Sequence, residues 1–527
     1  MQEWALISVT EKEGIEKICT GLIDSGLSIL ATQGTAEYLS HHGIEAHPIS
    51  SVSEFPEILG GRVKTLHPKI FGGLLANPSL PSHQKDLAAH QIPIIRVLMV
   101  NLYPFSQKSS SLPPDEALEW VDIGGAALIR SALKNVQNLL LLVDSSDWHY
   151  ATKWRELDLK TRRALALKGW HHLIEYDQKI YEYYLKEWQN QEAKHISLFK
   201  VQDLRYGENP HQKAILWSQK KEEEDFFSEI TGKTLSYNNY LDLYSGYTLL
   251  SHWDKPGAVV VKHTIPCGAA MAKTLETPLE KLVEYAWQGD SRAAFGGVVL
   301  IQGKIEVSLF TKGPLKGKFI DLLGASSFTE ETLEYLQKKR PRLKLVTLPS
   351  RLNSTTAYRS LGNHFLSQEP NNMWGEEWKT VTQRTFPERL MPLANFGVKV
   401  NSLLPSNAIS IVTDEEDLYW HSGHGAGQPS RIGALENLAL PLFMRNMKER
   451  AEKLGWDMED YREGILERSV LISDGFFPFP DSVDRASQFG IQYIVQPGGS
   501  KKDGQVMEKA NEIGVSMIFT GIRHFRH

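Results

Sequence analysis

The sequence predicts an α/β protein that opens on a parallel sheet covered by helices. Over the first 150 residues, short apolar runs alternate with amphipathic segments, and the runs end in polar turn residues. Beyond about residue 195 the same alternation continues with more interruptions, which predicts further α/β structure rather than a second fold class.

Taken in order, WALISVT is expected as a strand, GIEKICTGLIDSG as a helix with its breaker, and LSILATQGT as a strand followed by a loop. AEYLSHHG then predicts a helix and IEAHPIS a strand, before IIRVLMVNLYPF and NLLLLVDSS give two more strands with polar ends. Ligands of parallel sheets bind at the carboxyl ends of strands, where those polar residues fall. The charged, helical stretch 150–195 is expected to close this domain, with KHISLFKVQ as the link onward. Later strands are expected in AVVVKH, GGVVLIQ, LKLVTL, NAISIVT and QYIVQPGG, and helices in TEETLEYLQKK, LPLFMRNMKERAEKLGW and GQVMEKANEIG. KKRPRLK is expected as a solvated helix end. VVVKHTIPCG, and SNAISIV with GHGAGQPSR after it, hint at a duplicated domain.

The 527 residues are enough for two to four domains with large cores, and 41% apolar with 23% charged residues is ordinary globular composition. A net charge of −5 disfavours nucleic acid or an anionic membrane as the main partner, so a site for an anion must be local. MQEWALISVT has an early acid and no long apolar run, so no signal peptide is expected, and no stretch is long enough to cross a membrane. Cys19 and Cys267 are too few for a disulfide framework and are expected as unpaired thiols in a reducing cytoplasm.

Several short stretches carry chemistry. GGRVKTLHPK sets Arg62, Lys64 and Thr65 beside two glycines, which suits a phosphate or oxyanion. TQGT offers Thr32, Gly34 and Thr35 as a second cradle after a strand. NLYPF places Asn101 and Tyr103 at a strand end. In VDIGGAALIRSALKN, Asp122 precedes the Gly124-Gly125 pair that opens a helix, whose free N–H groups suit a developing oxyanion. Lys134 lies near the far end of that helix. Each stretch alone is also what a solvated loop or a core turn looks like; together at the strand ends of one unit they are harder to dismiss.

SVTEK, TQGT, GGRVKTLHP, NLYPF and DIGG with LIRSALKN, in this order, resemble the amino-terminal half of the bifunctional purine-biosynthesis family, the AICAR transformylase/IMP cyclohydrolases. The resemblance continues through LRYGENPHQ, VVVKHTIPCGAA, FGGVV, SNAI, GAGQPSR, SDGFFPF, QPGGS and IRHFRH, and so covers the chain. It implies a methylglyoxal-synthase-like parallel-sheet cyclohydrolase domain at 1–196. It also implies a transformylase region at 197–527 made of two cytidine-deaminase-like α/β subdomains. By the same resemblance Thr10, Lys12, Thr32, Gly34, Thr35, Arg62, Thr65 and Asn101 hold the nucleotide, with Gly124 and Gly125 at the oxyanion. Lys64, Tyr103, Asp122 and Lys134 then perform the ring closure, with Asp122 orienting the attacking amide or accepting its proton.

VVVKHTIPCG reads as a buried strand running into Lys262, His263 and a Pro-Cys-Gly turn. The charged pair fits a solvated strand end, half of a metal site or a reaction centre. A histidine followed by Pro-Cys is a zinc-deaminase cue, but the second cysteine is missing, because Ala270 stands there. No catalytic metal is expected. The resemblance instead implies His263 as the general base for formyl transfer, Lys262 as the stabiliser of the oxyanion or leaving group, and Asn407 as the residue orienting that relay. Arg205, Tyr206, Gly296, Asp321, Arg431, Phe476 and Arg523 are implied for the nucleotide. Phe295, Pro478, Asp481 and Ser482 are implied for 10-formyltetrahydrofolate, the cosubstrate.

The chain departs from the family pattern at Gln33, Pro405 and Pro480; the prolines remove backbone donors and change loop shape. The expected protein is a cytoplasmic homodimeric enzyme acting on AICAR, formyl-AICAR and folate, with no nucleic-acid or membrane partner. Two alternatives are a nucleotide-binding homologue retaining one or neither activity, opposed by the retained polar residues, and a zinc deaminase, opposed by the cysteine count.

Overall fold

Strand β1 (Glu3–Ser8) sends Trp4 and Leu6 to one side and Ala5 and Ile7 to the other, and all four are buried. A strand buried on both faces belongs inside a sheet with helices on either side. The computed structural model, which describes residues 2–220, 226–231, 234–350, 356–375 and 377–527, places it there. With β2 (Ser28–Ala31), β3 (His47–Pro48), β4 (Ile94–Val100) and β5 (Leu140–Leu142) it forms a five-stranded parallel sheet in the order β3-β2-β1-β4-β5. The helix Ile15–Asp24 packs on one face through Ile15, Cys19 and Leu22. The helices Pro68–Leu75, Ile123–Lys134 and Leu159–Gln189 cover the other. IEAHPIS yields only the two-residue β3 before a short helix at Ile49–Ser53, because Pro48 has no N–H to extend a ladder.

The chain divides into two units, Met1–Ile196 and Ser197–His527. The second holds a separate hairpin, β6 (Phe199–Asp203) with β7 (Ile215–Ser218), then β8 (Ser228–Glu229), β9 (Gly257–Lys262), β10 (Ile265–Ala272), β11 (Val298–Ile305), β12 (Leu322–Phe328) and β13 (Lys344–Thr347). A ribbon of β14 (Ala357–Leu361) and β15 (His364–Gln368) follows, then β16 (Lys379–Thr380), β17 (Ile409–Asp414), β18 (Leu418–Gly425), β19 (Ser469–Ser473), β20 (Tyr493–Gln496) and β21 (Ser516–Phe519).

The main sheet has twelve strands, in the order β16-β21-β20-β19-β17-β18-β10-β9-β11-β12-β13-β8. It is one arrangement used twice. Outward from the antiparallel β10–β18 seam, each half has a hairpin (β9–β10 or β17–β18), a strand antiparallel to its first member (β11 or β19), then two parallel strands. The helices Tyr237–Ser251 and Met391–Asn401 precede the two halves and share one core beneath the sheet. On the opposite face lie two cores, one around Tyr285 and Phe310 that also takes in Trp420 of β18, the other around Phe443 and Phe477. Among the described residues no helix is long and apolar enough to cross a membrane.

Two expectations need correction. Pro-Cys-Gly is not the turn: Lys262 pairs with Ile265, so His263 and Thr264 form a two-residue hairpin loop, and Pro266-Cys267-Gly268 lie inside β10. The ladder shifts between Pro266 and Gly268, leaving Cys267 as the extra residue of a bulge, where a proline is tolerated. KKRPRLK is a solvated helix end only in part, with Lys338, Lys339 and Arg342 exposed. Arg340 donates to the carbonyls of Lys318 and Leu315 at 2.9 and 2.8 Å, and Lys344 is only 8% exposed within β13.

Candidate active sites

In the first unit the strand order reverses between β1 and β4, and loops diverging from such a reversal leave a crevice. A cavity of about 1410 Å³ opens there. Thr10 after β1 and Asn101 after β4 join across the reversal: the Thr10 N–H donates to Asn101 Oδ1 at 2.6 Å, and its hydroxyl to the same atom at 3.1 Å. TQGT, expected as a loop, is the start of the helix Gln33–His41 with Thr32 at its N-cap. Lys12 stands over that helix end, since a Cβ on Gly34 would lie 3.6 Å from Lys12 Nζ. An ammonium beside the N–H groups of a helix start favours an anion. Gln33 does not crowd it, because its Nε2 donates along the helix to Glu37 at 2.7 Å.

Gly60 and Gly61 shape the facing wall, with φ of +64° and +89° that glycine adopts without strain. Lys64 folds back over Gly61, its Cε 2.6 Å from where a Cβ would stand, and its Nζ lies 3.6 Å from Glu57. Arg62 forks onto Glu119, with Nε to Oε2 at 3.0 Å and Nη2 to Oε1, so its two-pronged face is already engaged by a carboxylate. Thr65, Tyr103 and the aromatic side chains of Trp120, Tyr181, Tyr184 and Trp188 complete the lining. Tyr103 packs edge-on against Trp120 at 6.1 Å.

Asp122 caps the helix Ile123–Lys134, and its Oδ1 accepts the Gly125 N–H at 2.6 Å. The Gly125 N–H is thus engaged by the carboxylate beside it, while Gly125 itself stays in the lining. A Cβ on Gly125 would stand 2.6 Å from Asp122 Oδ2, so only glycine admits the carboxylate this closely. The Asp122 N–H donates to Tyr176 Oη at 2.7 Å, and that hydroxyl donates to the Trp120 carbonyl at 3.2 Å. Burial raises the Asp122 carboxyl above its ordinary 3.8, outweighing the Gly125 and Tyr103 N–H groups and the Lys64 charge. Gly124, with Thr65 Oγ1 against it, stays in the lining. Lys134 is exposed at the helix's last residue, about 16 Å from the first at 1.5 Å per residue, and is not among the residues lining the cavity.

In the second unit, Lys262 ends β9 and donates its Nζ to the Phe295 carbonyl at 2.8 Å. His263 and Thr264 have φ of +55° and +64°, the two positive angles of a type I′ hairpin turn in residues that resist them. Such strain costs about 1–3 kcal/mol per residue. The helix Tyr237–Ser251 offsets it. The Thr264 N–H donates to Asp242 Oδ1 at 2.6 Å, the His263 N–H bonds the same carboxylate, and Ser245 Oγ donates to the Thr264 carbonyl at 2.6 Å. Hydrogen bonds to a charged group contribute about 1.5–3 kcal/mol each, enough to hold the turn. Burial raises the Asp242 carboxyl above 3.8, opposed by those N–H groups and the His263 charge.

Asn407 stands just before β17. Its Nδ2 donates to the carbonyls of Gln428 and Pro429, both at 3.1 Å, so the GAGQPSR loop fixes the amide. The Pro405 carbonyl accepts the Gly427 N–H at 2.7 Å, so the loop uses the group that proline retains. Asp321 accepts from Lys344 Nζ at 2.6 Å and Asn239 Nδ2 at 2.8 Å. Close to it in sequence, Gly296 takes φ +71° with the Phe319 ring against it. The Tyr206 carbonyl accepts the Tyr237 N–H at 3.1 Å, and Arg205 lies 5.5 Å from the Tyr206 ring. Arg431 bonds Asp474 at 2.8 Å and the Phe476 carbonyl at 3.1 Å, and is nearly buried; Phe476 thus enters through its backbone. Arg523 is exposed and lies 4.3 Å from the Phe525 ring.

Phe295 is 61% exposed and leans on Phe319, and Pro478 is half-buried. Asp481, following Pro480, opens the helix Asp481–Phe489 and accepts the Ser482 N–H at 2.7 Å. Ser482 is 1% exposed and supports Asp481 rather than presenting itself to a ligand. Among the described residues no group of three or more His, Cys, Asp and Glu is placed to hold a metal.

Sequence reasoning misses Asn239, Asp242 and Ser245. Their signal is a three-residue spacing that puts polar groups on one face of an otherwise well-buried helix. It also misses Lys344 and Arg526, which no local pattern separates from surface cations.

Comparison with known proteins places these sites in context. Residues 132–440 match the family described as AICARFT/IMPCHase bienzyme, and residues 14–127 match the MGS-like domain. "Bifunctional purine biosynthesis protein PurH" of Persephonella marina is 36% identical over 540 residues, covering 99% of each chain. The protein of that name from Lysinibacillus sphaericus is 37% identical over 543 residues and all of both chains. The one from Dictyostelium discoideum is 36% identical over 574 residues, covering 99% of this chain and all of its own. The chain belongs to the AICARFT/IMPCHase bienzyme family, with an MGS-like domain in its first unit.

Proposed function

We propose that this chain performs two consecutive steps of purine biosynthesis. The second unit transfers a formyl group from 10-formyltetrahydrofolate to AICAR, and the first closes formyl-AICAR to IMP with loss of water. The observation that carries this reading is a family member with two separate polar sites: the cavity at the β1–β4 reversal and the strained His263–Thr264 turn beside Lys262.

In formyl transfer the 5-amino nitrogen of AICAR attacks the formyl carbon. His263 takes the proton from that nitrogen and delivers it to N10 of the folate as the C–N10 bond breaks. Lys262, tethered to the Phe295 carbonyl, stabilises the negative oxygen of the tetrahedral intermediate. Asn407 Oδ1 receives the carboxamide of AICAR. Arg205, Tyr206, Gly296, Asp321, Arg431, Phe476 and Arg523 frame the nucleotide, while Phe295, Pro478 and Asp481, supported by Ser482, frame the folate.

In cyclisation Thr10, Lys12, Thr32, Gly34 and Thr35 hold the phosphate and ribose, with Asn101 fixing Thr10 and Arg62 and Thr65 at the facing wall. Within the cavity the carboxamide nitrogen reaches the formyl carbon of the same molecule, so the enzyme chiefly holds two ends together. Asp122, made a better base by burial, accepts the amide proton. Lys64 and Tyr103 stabilise the formyl oxygen that departs as water. No metal takes part, since Ala270 stands where the second cysteine of a Pro-Cys-x-x-Cys zinc site would be. The working enzyme is a cytoplasmic homodimer. The test is turnover with AICAR and 10-formyltetrahydrofolate, following tetrahydrofolate and IMP together. Release of both supports the reading, and release of neither contradicts it.

A further inference from the structure

We infer that Arg526 is a positioning residue for formyl transfer, tying the His263–Thr264 turn to the segment that leads into Asn407. The inference rests on the reading of the second unit given above. The Arg526 Nη1 donates to the Thr264 carbonyl at 3.1 Å and to the Leu403 carbonyl, and lies 3.4 Å from Ser245 Oγ. Its backbone makes a reciprocal pair with Ser406: the Arg526 N–H donates to Ser406 Oγ at 3.2 Å, and the Ser406 N–H donates to the Arg526 carbonyl at 3.0 Å. Ser406 in turn donates to Asp474 at 2.6 Å, and the Asp474 carbonyl accepts the His524 N–H at 3.0 Å. The C-terminal segment is therefore built into the fold.

Thr264 belongs to the first copy of the repeated arrangement, whereas Leu403 and Ser406 belong to the second. One side chain thus fixes the spacing between the general base and the carboxamide acceptor that must share a substrate. Among the described residues Arg526 has no carboxylate in an ion pair, and its charge is met by carbonyl oxygens. Burial lowers its pKa, which marks the desolvation that the site imposes. A part-buried cation whose charge meets only carbonyl and hydroxyl oxygens is a poor device for stability alone. What it supplies is geometry. Its Nη1 amino group holds both carbonyls from the end of a rigid planar guanidinium, and the Thr264 carbonyl it grips belongs to the strained turn that aims His263.

The test uses full-length Arg526→Ala and Arg526→Lys, with both activities measured on each preparation. For Arg526→Ala, kcat for formyl transfer should fall about 10²-fold, the loss expected from misplacing a reacting group by about 1 Å. KM for AICAR should stay within about 3-fold, as for an interaction that matters only in the transition state. Cyclisation of supplied formyl-AICAR should be unchanged. Guanidinium ion at millimolar concentration should restore part of the lost kcat to Arg526→Ala and none to His263→Ala. Arg526→Lys should recover less than half the wild-type rate, because the lysine side chain ends one atom short of the Nη1 that holds both carbonyls. If Arg526→Ala does not fold, the kcat-against-KM split in Arg526→Lys decides the question. An undiminished kcat, a loss confined to KM, or a kcat loss that guanidinium leaves untouched overturns the role of Arg526 while the wild type remains active. A wild type without formyl transfer overturns the reading of the second unit and this role with it.

Discussion

Lys344 Nζ stands 2.6 Å from Asp321 Oδ1, and Asn239 holds the other oxygen at 2.8 Å. The lysine is nearly buried and the aspartate side chain 40% exposed, so the pair lies between a surface bridge and a core one. Lys344→Met should cost about 1–2 kcal/mol of stability and weaken AICAR binding several-fold by releasing Asp321. Denaturant unfolding and AICAR titration check this; an unchanged midpoint and affinity would remove Lys344 from the site.

The turn that aims His263 depends on Asp242. Asp242→Ala leaves the Thr264 and His263 N–H groups without their carboxylate while two residues stay at positive φ. Stability should fall by about 2–4 kcal/mol and formyl transfer by more than tenfold. Asp242→Asn, which keeps one acceptor oxygen, should retain most of the stability. Equal behaviour of the two variants by calorimetry and turnover would contradict the offset between strain and hydrogen bonds.

Asp122 makes a pH prediction. Its folded pKa lies above the 3.8 of the unfolded chain, because burial outweighs the groups that favour the anion. Between the two values the folded state binds more protons, so this group's contribution to stability falls as pH rises through that window. Asp122→Asn should remove the trend, so wild-type minus variant melting temperature should decline from about pH 4 upward. A difference that rises with pH would mean that hydrogen bonding, not burial, dominates at Asp122.

Both cysteines are buried, and burial pushes each thiol up to about 12. A neutral, enclosed thiol is a poor nucleophile. A chromogenic disulfide at pH 8 should modify neither quickly in the native chain and both after unfolding. Cys267→Ala should leave formyl transfer within about twofold of wild type, as befits the extra residue of a bulge. Rapid modification of Cys267 with loss of activity would give that thiol a role.

Strands such as β1 and β9 are legible in the sequence because runs buried on both faces announce themselves locally. The turn after β9 is not. Pro-Cys-Gly has the local composition of a turn, yet the chain reverses earlier, at His263 and Thr264, because Asp242 and Ser245 on a preceding helix stabilise an unfavourable backbone. The cavity-lining residues Thr10, Thr32, Lys64 and Asn101 are legible in their motifs, whereas Tyr181, Tyr184 and Trp188 on the closing helix are not. Lys134 is not excluded by its motif, because the helix that carries Asp122 to the cavity carries Lys134 away from it. Gly125 is the opposite case: an aspartate just before a helix start is an N-cap residue, and its bond to the Gly125 N–H follows from that position. Lys344 and Arg526 resemble surface cations until the fold brings Asp321 and Thr264 to them.

A chain with two independent reaction centres should lose only one of them in His263→Ala. Given AICAR and 10-formyltetrahydrofolate, the variant should form no formyl-AICAR. Given formyl-AICAR itself, it should produce IMP at the wild-type rate, because the cavity at the β1–β4 reversal is untouched. Loss of both activities in a folded variant, or survival of formyl transfer, would contradict the account.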